Sequence, residues 1–343
     1  MNAQNLVFSH QRETVIALSR RFETIHIFTA ESGEEELPKN VTVSLVRSKS
    51  KSWIYNFYWV YRTVLPYLLK NRQSVVFSHM TDAYAALISP ITWILKMRHF
   101  LWYAHATNSP YLIWSSFFVT RIISSTSGSC NLMINRRKIR LINQGINENN
   151  FPFCKRTFEH LDKIIYYGRL DKSKNIHQLF QLVKELNCQG ENLTLDIYGK
   201  PMNPKSNRYL KQLKNSQLAE ELGPAIKMFE PIFRDNISLV TRDYDAFLNL
   251  YSGSLDKTLV EATLMGLPVV TWNIEYCTQF GTWSGLPAKF SIDFVISEFQ
   301  FLKTLNSHEL EYELIRRLDI ATSYHSFVGW IERLEFLLAE RTV

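Results

Sequence analysis

The chain has few cysteines, and none is placed for chemistry. Cys130, Cys154, Cys188 and Cys277 are the four among 343 residues. None forms a Cys-x-x-Cys pair and none lies beside a histidine at zinc-ligand spacing, which excludes the common zinc and dithiol motifs. Free thiols in a reducing compartment are the expectation. Long apolar runs are also missing. The longest, 83–95 and 111–120, are broken by Pro90 or by serines and fall short of the roughly 20 residues a spanning helix needs. The first residues, Met-Asn-Ala-Gln-Asn-Leu-Val-Phe, lack the basic start and apolar core of a signal peptide. There is no low-complexity tract, no solenoid repeat, and no RNP, zinc-finger or helix-turn-helix signature, so no nucleic-acid partner is expected. A cytoplasmic protein is the expectation.

What is present is an ordinary globular composition, 46% apolar and 21% charged, in a chain long enough for two cores. Its charge is uneven. Residues 1–150 carry 17 Lys and Arg against 8 Asp and Glu, a net +9. The whole chain is +7, so residues 151–343 are at −2. The basic half calls for an anionic partner. Arg47, Lys49 and Lys51 lead into Trp53, Tyr55, Phe57, Tyr58, Trp59 and Tyr61, and Arg136, Arg137, Lys138 and Arg140 form a second basic cluster. Basic and aromatic residues together suit an anionic lipid surface, so residues 47–62 are expected to touch the inner face of the cytoplasmic membrane. Core packing of half these aromatics is the alternative, and a helix has faces for both.

Strand and helix patterns alternate along the chain, as in an α/β protein with mostly parallel sheets. A helix is expected over 11–22, strands at 25–28 and 41–46, a long aromatic helix over 53–69, and short strands at 74–78, 100–104 and 122–125. The alternation repeats in the second half as far as 290–292. A last helix over 323–340 has an apolar face of Phe327, Trp330, Ile331, Leu334 and Leu337.

Three segments of the second half share one design. Residues 245–271 read as a strand (246–250), a small-residue turn with Ser252, Gly253 and Ser254, and a helix opening after Asp256 near Lys257, Thr258 and Leu259. Glu261 lies one turn inside, Gly266 ends the helix, and Pro268 leads to a second buried strand. Backbone N–H groups and the dipole at such a helix start suit a phosphate, and a carboxylate one turn in suits ribose hydroxyls. An ordinary βαβ unit with a solvated Glu261 would explain this segment alone. Residues 163–176 repeat the pattern, with Gly168, Arg169 and Lys174 leaving the strand. A planar guanidinium fork and a point-charge ammonium match a diphosphate; the alternative is a surface ion pair with Asp171 or Glu185. A third strand ends in the same way at Gly199. The chain is read as having no Asp-x-Asp motif, which fits metal independence.

Together the Gly-Arg-Leu…Lys-Asn run at 168–175, the strand ending Ile197-Tyr198-Gly199, and Ser-Leu-Asp-Lys…Glu261-Ala…Gly266-Leu-Pro268-Val-Val resemble the retaining glycosyltransferases of family four, group 1, with the GT-B fold. Trp102-Tyr103-Ala-His105 and Gln144-Gly145-Ile146-Asn147…Phe151 resemble that family's inter-domain elements more loosely. The resemblance implies two Rossmann-like domains facing a cleft: 1–150 for the acceptor, 151–322 for a nucleotide-sugar donor, and 323–343 as a helix crossing back. It implies a retaining, metal-independent transfer from a nucleotide-diphosphate sugar to a glycan or lipid-linked acceptor in cell-surface polysaccharide synthesis, without a cofactor. Arg169 and Lys174 would stabilise the leaving group, and His105 would orient sugar or acceptor. Gly168, Gly199, Ser254, Asp256, Lys257, Thr258, Leu259 and Glu261 would hold the donor.

Two departures stand out. Such enzymes open with a buried strand and a glycine loop. Residues 1–10 are too short and polar for that and contain no glycine, so the N-terminal domain is expected to lack its first strand unless the reading frame starts upstream. The family also often has a glutamate eight positions before the one matching Glu261. Gly253 stands there, and the sugar contact would pass to Asp256 or to backbone N–H groups. A non-catalytic nucleotide-sugar-binding relative acting in a complex is the alternative function, and an epimerase or phosphorylase on the same fold comes third.

Overall fold

A computed structural model describes residues 9–30, 36–46, 53–156, 161–287 and 289–340. Arg47, Lys49 and Lys51, and the first eight residues, lie outside that set. The chain forms two compact units, Met1–Asn143 with Val328–Val343, and Gln144–Phe327.

The first unit runs α1 (Ser9–Ser19), β1 (Ile25–Thr29), β2 (Val41–Leu45), α2 (Trp53–Lys70), β3 (Val76–His79), α3 (Asp82–Ile94), β4 (His99–Trp102), α4 (Pro110–Phe118), β5 (Arg121–Ser124) and β6 (Ile139–Leu141). All its described strands pair in parallel, in two pieces: β1 with β2, and β3-β4-β5-β6 in sequence order. Ala85, Leu101, Leu112, Val119 and Ile122 make one core cluster, and Val60, Val64, Leu68 and Met97 another. His99 is buried between Ser78 and Thr92, whose hydroxyls meet its two ring nitrogens at 2.9 and 3.0 Å. Burial pushes its pKa down to about 3, so it stays neutral in the core.

Pro90 does not break α3. It has no N–H, so the carbonyl four residues back, Ala86, loses its helical partner. The indole N–H of Trp114 donates to that carbonyl at 3.1 Å.

The second unit runs β7 (Lys163–Tyr167), α5 (Ile176–Cys188), β8 (Thr194–Tyr198), α6 (Pro204–Lys214), α7 (Gln217–Leu222), β9 (Ile226–Phe229), α8 (Ile237–Val240), β10 (Ala246–Asn249), α9 (Lys257–Leu264), β11 (Val269–Thr271), α10 (Ile274–Phe280), α11 (Ile292–Thr304) and α12 (Ser307–His325). The five strands form one parallel sheet in the order β11-β10-β7-β8-β9. Leu179, Val183, Phe299 and Leu314 cover one face, and Leu259, Tyr276, Phe280 and Ala321 the other. Side chains of this size contribute about 1.5–3 kcal/mol each when fully buried. The chain steps outward from β7 to β9, then returns to β10 on the other side. Neighbours β7 and β10 therefore mark a topological switch point, where open α/β sheets bind ligands at the carboxyl ends of their strands.

Two elements differ from the sequence pattern. Residues 290–292 form no strand; Ser291 instead caps α11, accepting from the Phe294 N–H. The expected terminal helix is two, α12 and α13 (Phe327–Ala339), broken at Ser326. Ile146 causes the break: its N–H donates to the His325 carbonyl and its carbonyl accepts from the Phe327 N–H, both at 2.9 Å. Residues from 328 onward belong to the first unit, where Arg98 donates to the Leu338 and Glu340 carbonyls and closes the end of α13.

Candidate active site

The carboxyl ends of β7 and β8 approach so closely that only glycine fits. The Gly168 N–H donates to the Tyr198 carbonyl at 3.0 Å. A Cβ on Gly199 would lie 2.0 Å from the Gly168 carbonyl oxygen, and both glycines have positive φ. The chain leaves Gly168 through Arg169, which is exposed, and turns at Asp171, whose carboxylate accepts from the Ser173 N–H. Asn175 takes a left-handed conformation, φ +54°, to start α5. Its side chain donates to the Leu250 carbonyl at 2.8 Å, tying this turn to the end of β10.

Lys174 does not pair with Asp171 or Glu185. Its ammonium meets the Asp256 carboxylate at 2.5 Å, and both side chains are largely buried, 7% and 14% exposed. The Tyr251 ring lies over the ammonium at 3.7 Å, a cation–π contact. Asn249, wholly buried, donates to Asp256 at 3.2 Å and to the Thr258 hydroxyl at 3.1 Å. Burial alone would raise the Asp256 pKa; the charge and hydrogen bond of Lys174, with Asn249 and the Thr258 N–H, outweigh it and hold the carboxyl below its ordinary value. Asp256 is therefore occupied as the counter-ion of Lys174.

Gly253 stands where the family's first glutamate would. A Cβ there would sit 2.1 Å from the Tyr251 hydroxyl, so Tyr251 fills that space. The loop 251–256 is pinned from behind. Asn273, with no exposed surface, donates to the Tyr251, Gly253 and Ser254 carbonyls at 2.9, 3.0 and 3.3 Å. Its own carbonyl oxygen accepts from the Tyr276 N–H. Glu275 accepts from the Leu255 N–H at 2.5 Å and Gln144 donates to the Leu255 carbonyl.

Beyond this loop, Lys257 and Thr258 open α9. Thr258 turns its hydroxyl to Asn249, and its carbonyl accepts from the buried Tyr167 hydroxyl. Ser254 is buried. Leu259 is not a lining residue: its side chain lies in the core and its N–H donates to the Asp256 carbonyl. Glu261 is half-buried, and burial raises its pKa, opposed by the charges of Arg234 and Lys257. Arg234, on a short turn after β9, also covers the Phe151 ring at 5.6 Å.

The sequence reading missed Asn175, Arg234, Asn249, Tyr251, Asn273 and Glu275. Asn249 and Asn273 had a signal, since each is an amide at the end of an otherwise apolar strand segment. The sequence does contain one Asp-x-Asp, Asp243-Tyr244-Asp245. It lies at the amino end of β10, the far end of the sheet, where Asp245 accepts from the Asp162 and Lys163 N–H groups at 2.9 and 2.8 Å.

In the first unit His105 follows β4, is exposed, and meets the Tyr103 ring edge-on at 5.4 Å. His79 ends β3 and stacks on Trp102. Tyr58 and Trp59, within the 47–62 stretch, are exposed on α2, with Arg62 over Trp59 at 5.7 Å.

Two parallel-sheet units, with basic side chains and a helix start gathered at a switch point, are the architecture of the GT-B glycosyltransferases, and solved structures bear this out. HepE of Anabaena, solved with UDP and glucose, is similar over 96% of each chain at 12% identity, with a TM-score of 0.73. Sucrose-phosphate synthase of Thermosynechococcus elongatus matches 96% of this chain and 92% of its own at 12% identity, TM-score 0.75. A glycosyltransferase of Rickettsia africae matches 99% and 97% at 14% identity, TM-score 0.70. Residues 148–280 match the family model described as glycosyl transferases group 1, a stretch that holds Gly168, Lys174, Asp256 and Glu261. No curated protein matches the chain.

Proposed function

We propose that the protein transfers a sugar from a nucleotide-diphosphate sugar, with retention at the anomeric carbon and without a metal. The observation that carries this reading is the Lys174–Asp256–Tyr251 cluster at the switch point, beside the start of α9 and one turn from Glu261. A cation held in place before substrate arrives costs no reorganisation when negative charge develops.

In this reading the donor diphosphate meets Arg169, Lys174 and the N–H groups at the α9 start, and Glu261 accepts from the ribose hydroxyls. The bond between anomeric carbon and phosphate oxygen breaks, and the electron pair leaves with the nucleoside diphosphate. The acceptor oxygen bonds to the same face, and its proton passes to the leaving phosphate. His105 orients the sugar or the acceptor. The net +9 of residues 1–150 supports an anionic acceptor environment: a glycan or lipid-linked acceptor in surface polysaccharide synthesis, at the inner face of the cytoplasmic membrane, with residues 47–62 in contact. HepE was solved with UDP-glucose, so UDP-sugars are the first donors to try.

A second reading, a nucleotide-sugar-binding relative without transfer activity, is favoured by one observation: Tyr251 fills the place of the family's first glutamate. A thermal-shift panel of nucleotide diphosphates and their sugars, followed by donor-hydrolysis assays and NMR of the product anomer, separates the two. The proposed enzyme is stabilised by one nucleotide, turns over in EDTA and keeps the donor's configuration. Stabilisation without turnover supports the second reading; an inverted product or a divalent-ion requirement overturns the mechanism.

A further inference from the structure

Helices α3 and α4 of the first unit are built inside out. On α4 the hydroxyl residues Ser115 and Ser116 are fully buried, their hydroxyls donating to the Tyr111 and Ile113 carbonyls, while Trp114 and Phe117 are exposed by half. On α3, Ser89 and Thr92 are buried while Trp93 and Ile94 are exposed, Ile94 by 69%. A helix facing water shows the opposite distribution.

The exposed side chains form one surface. The Phe118 ring meets Trp93 at 6.0 Å and Trp114 at 5.1 Å, bridging the two helices. The indole N–H of Trp114 is spent on the Ala86 carbonyl, so the ring presents only its apolar body. Beyond α4 the chain returns through Met133, 81% exposed, and Ile134. Asn135 donates to the Ser116 hydroxyl, and Lys138 to the Ser116, Phe117 and Val119 carbonyls, which fixes this segment against the end of α4. Arg136 and Arg137 there are exposed.

The charge around this surface is mostly of one sign, the exception being Asp82 at the start of α3, which accepts from the Ser109 hydroxyl before α4. Residues 83–147 contain seven Lys and Arg and no Asp or Glu. We infer that this surface docks on an anionic lipid bilayer, with Trp93, Ile94, Trp114, Phe117 and Met133 entering the headgroup region and Arg136 and Arg137 meeting lipid phosphates. Aromatic and aliphatic side chains rimmed by arginine fit that interface. A second copy of the chain fits worse, because a two-fold contact would set arginine against arginine with no carboxylate in the stretch to pair them. The surface is distinct from residues 47–62 and does not depend on the donor-site reading.

Vesicle co-sedimentation of the whole chain tests it, with phosphatidylcholine vesicles with and without phosphatidylglycerol, at low and physiological salt. Binding is expected to need the anionic lipid and to weaken with salt. The variant carrying Ile94→Ser, Phe117→Ser and Met133→Ser should bind at least tenfold more weakly. Arg136→Gln with Arg137→Gln should weaken binding about twenty-fivefold at low salt, since each basic residue near the surface is worth roughly fivefold. All these side chains are exposed, and an unchanged thermal midpoint will confirm the fold. Brominated lipid should quench a fluorescence component that Trp114→Phe removes. No binding to anionic vesicles at low salt overturns the inference, and so does undiminished binding by either variant. A dimer in solution that the apolar variant dissociates would assign the surface to a second copy instead.

Discussion

The loops that leave β10 in the second unit and β4 in the first both follow the carboxyl end of an interior parallel strand but are held differently. The loop after β10 rests on wholly buried amides, Asn249 and Asn273, and surrounds a buried ion pair. The loop after β4 has two exposed bonds, Asn108 donating to the Asn131 carbonyl at 3.0 Å and Asn131 to the Ala106 carbonyl at 3.3 Å, beside part-buried ones from the Tyr103 hydroxyl to the Thr107 carbonyl and from Ser109 to Asp82. A buried hydrogen bond that loses one partner leaves the other stranded, at about 1–3 kcal/mol; an exposed one is replaced by water. The loop after β10 is thus fixed by wholly buried amides, and the loop bearing His105 depends more on bonds that water can replace.

The largest expected effect breaks the fixed side. Lys174→Ala strands the Asp256 carboxylate and should destabilise the fold by about 3–5 kcal/mol in denaturant titrations, as loss of one member of a buried pair does. It should also slow transfer about a hundredfold or more. Arg169→Ala, at an exposed position, should slow transfer comparably and leave unfolding unchanged. Normal turnover in both variants would remove the leaving-group role from this loop.

Next, Asn273→Ala removes four buried hydrogen bonds and should cost about 3 kcal/mol, whereas Asn108→Ala should stay within about 0.5 kcal/mol. Equal costs in the two variants would erase the contrast between the loops. In the first unit, His105→Ala should lower turnover about fivefold, since one hydrogen bond that orients the substrate is worth about 1 kcal/mol, with no shift in thermal midpoint. Full activity in this variant would limit the site to the second unit.

The same contrast explains what the sequence disclosed. The strands of the second unit were legible because apolar runs ended in Gly168, Gly199 and Gly253, and Gly199 is demanded by its contact with the Gly168 carbonyl. Lys174 was legible as a cation leaving the end of β7, but its partner was not. Asp256 lies 82 residues on, and only folding brings them together. Asn249 lies inside the expected strand 246–250 and Asn273 just past the next one, but their burial was not legible, because it depends on how the loop 251–256 folds back onto them. The break at Ser326 depends on Ile146 in the same way. Leu259 was misread because position at a helix start says which backbone groups are free, not where the side chain points. The inverted faces of α3 and α4 could not be read from their sequences, since an apolar helix looks the same whether its hydrophobic side faces core or lipid.

The smallest expected effect concerns two carboxyls of one site that are perturbed in opposite directions. Asp256 is held below its ordinary value, so it supports the fold above the unfolded value, 3.8. That support is lost as pH falls through the folded pKa. Glu261 is raised by burial from 4.5. Below that pH it is protonated in both states and makes no difference. As pH rises toward its folded pKa the unfolded chain ionises more readily, so the native state loses stability, and the loss persists at neutral pH. Glu261→Gln cannot ionise and should therefore match the wild-type midpoint at pH 4 and exceed it at pH 7. Asp256→Asn should fall below wild type at pH 7. Because glutamine keeps one acceptor oxygen, Glu261→Gln should weaken nucleotide binding only a few-fold in calorimetry. Gaining stability while losing ligand is the signature of a carboxylate held for binding. If Glu261→Gln is instead as destabilised at pH 7 as Asp256→Asn, Glu261 is a structural residue and the ribose contact must be sought at Arg234.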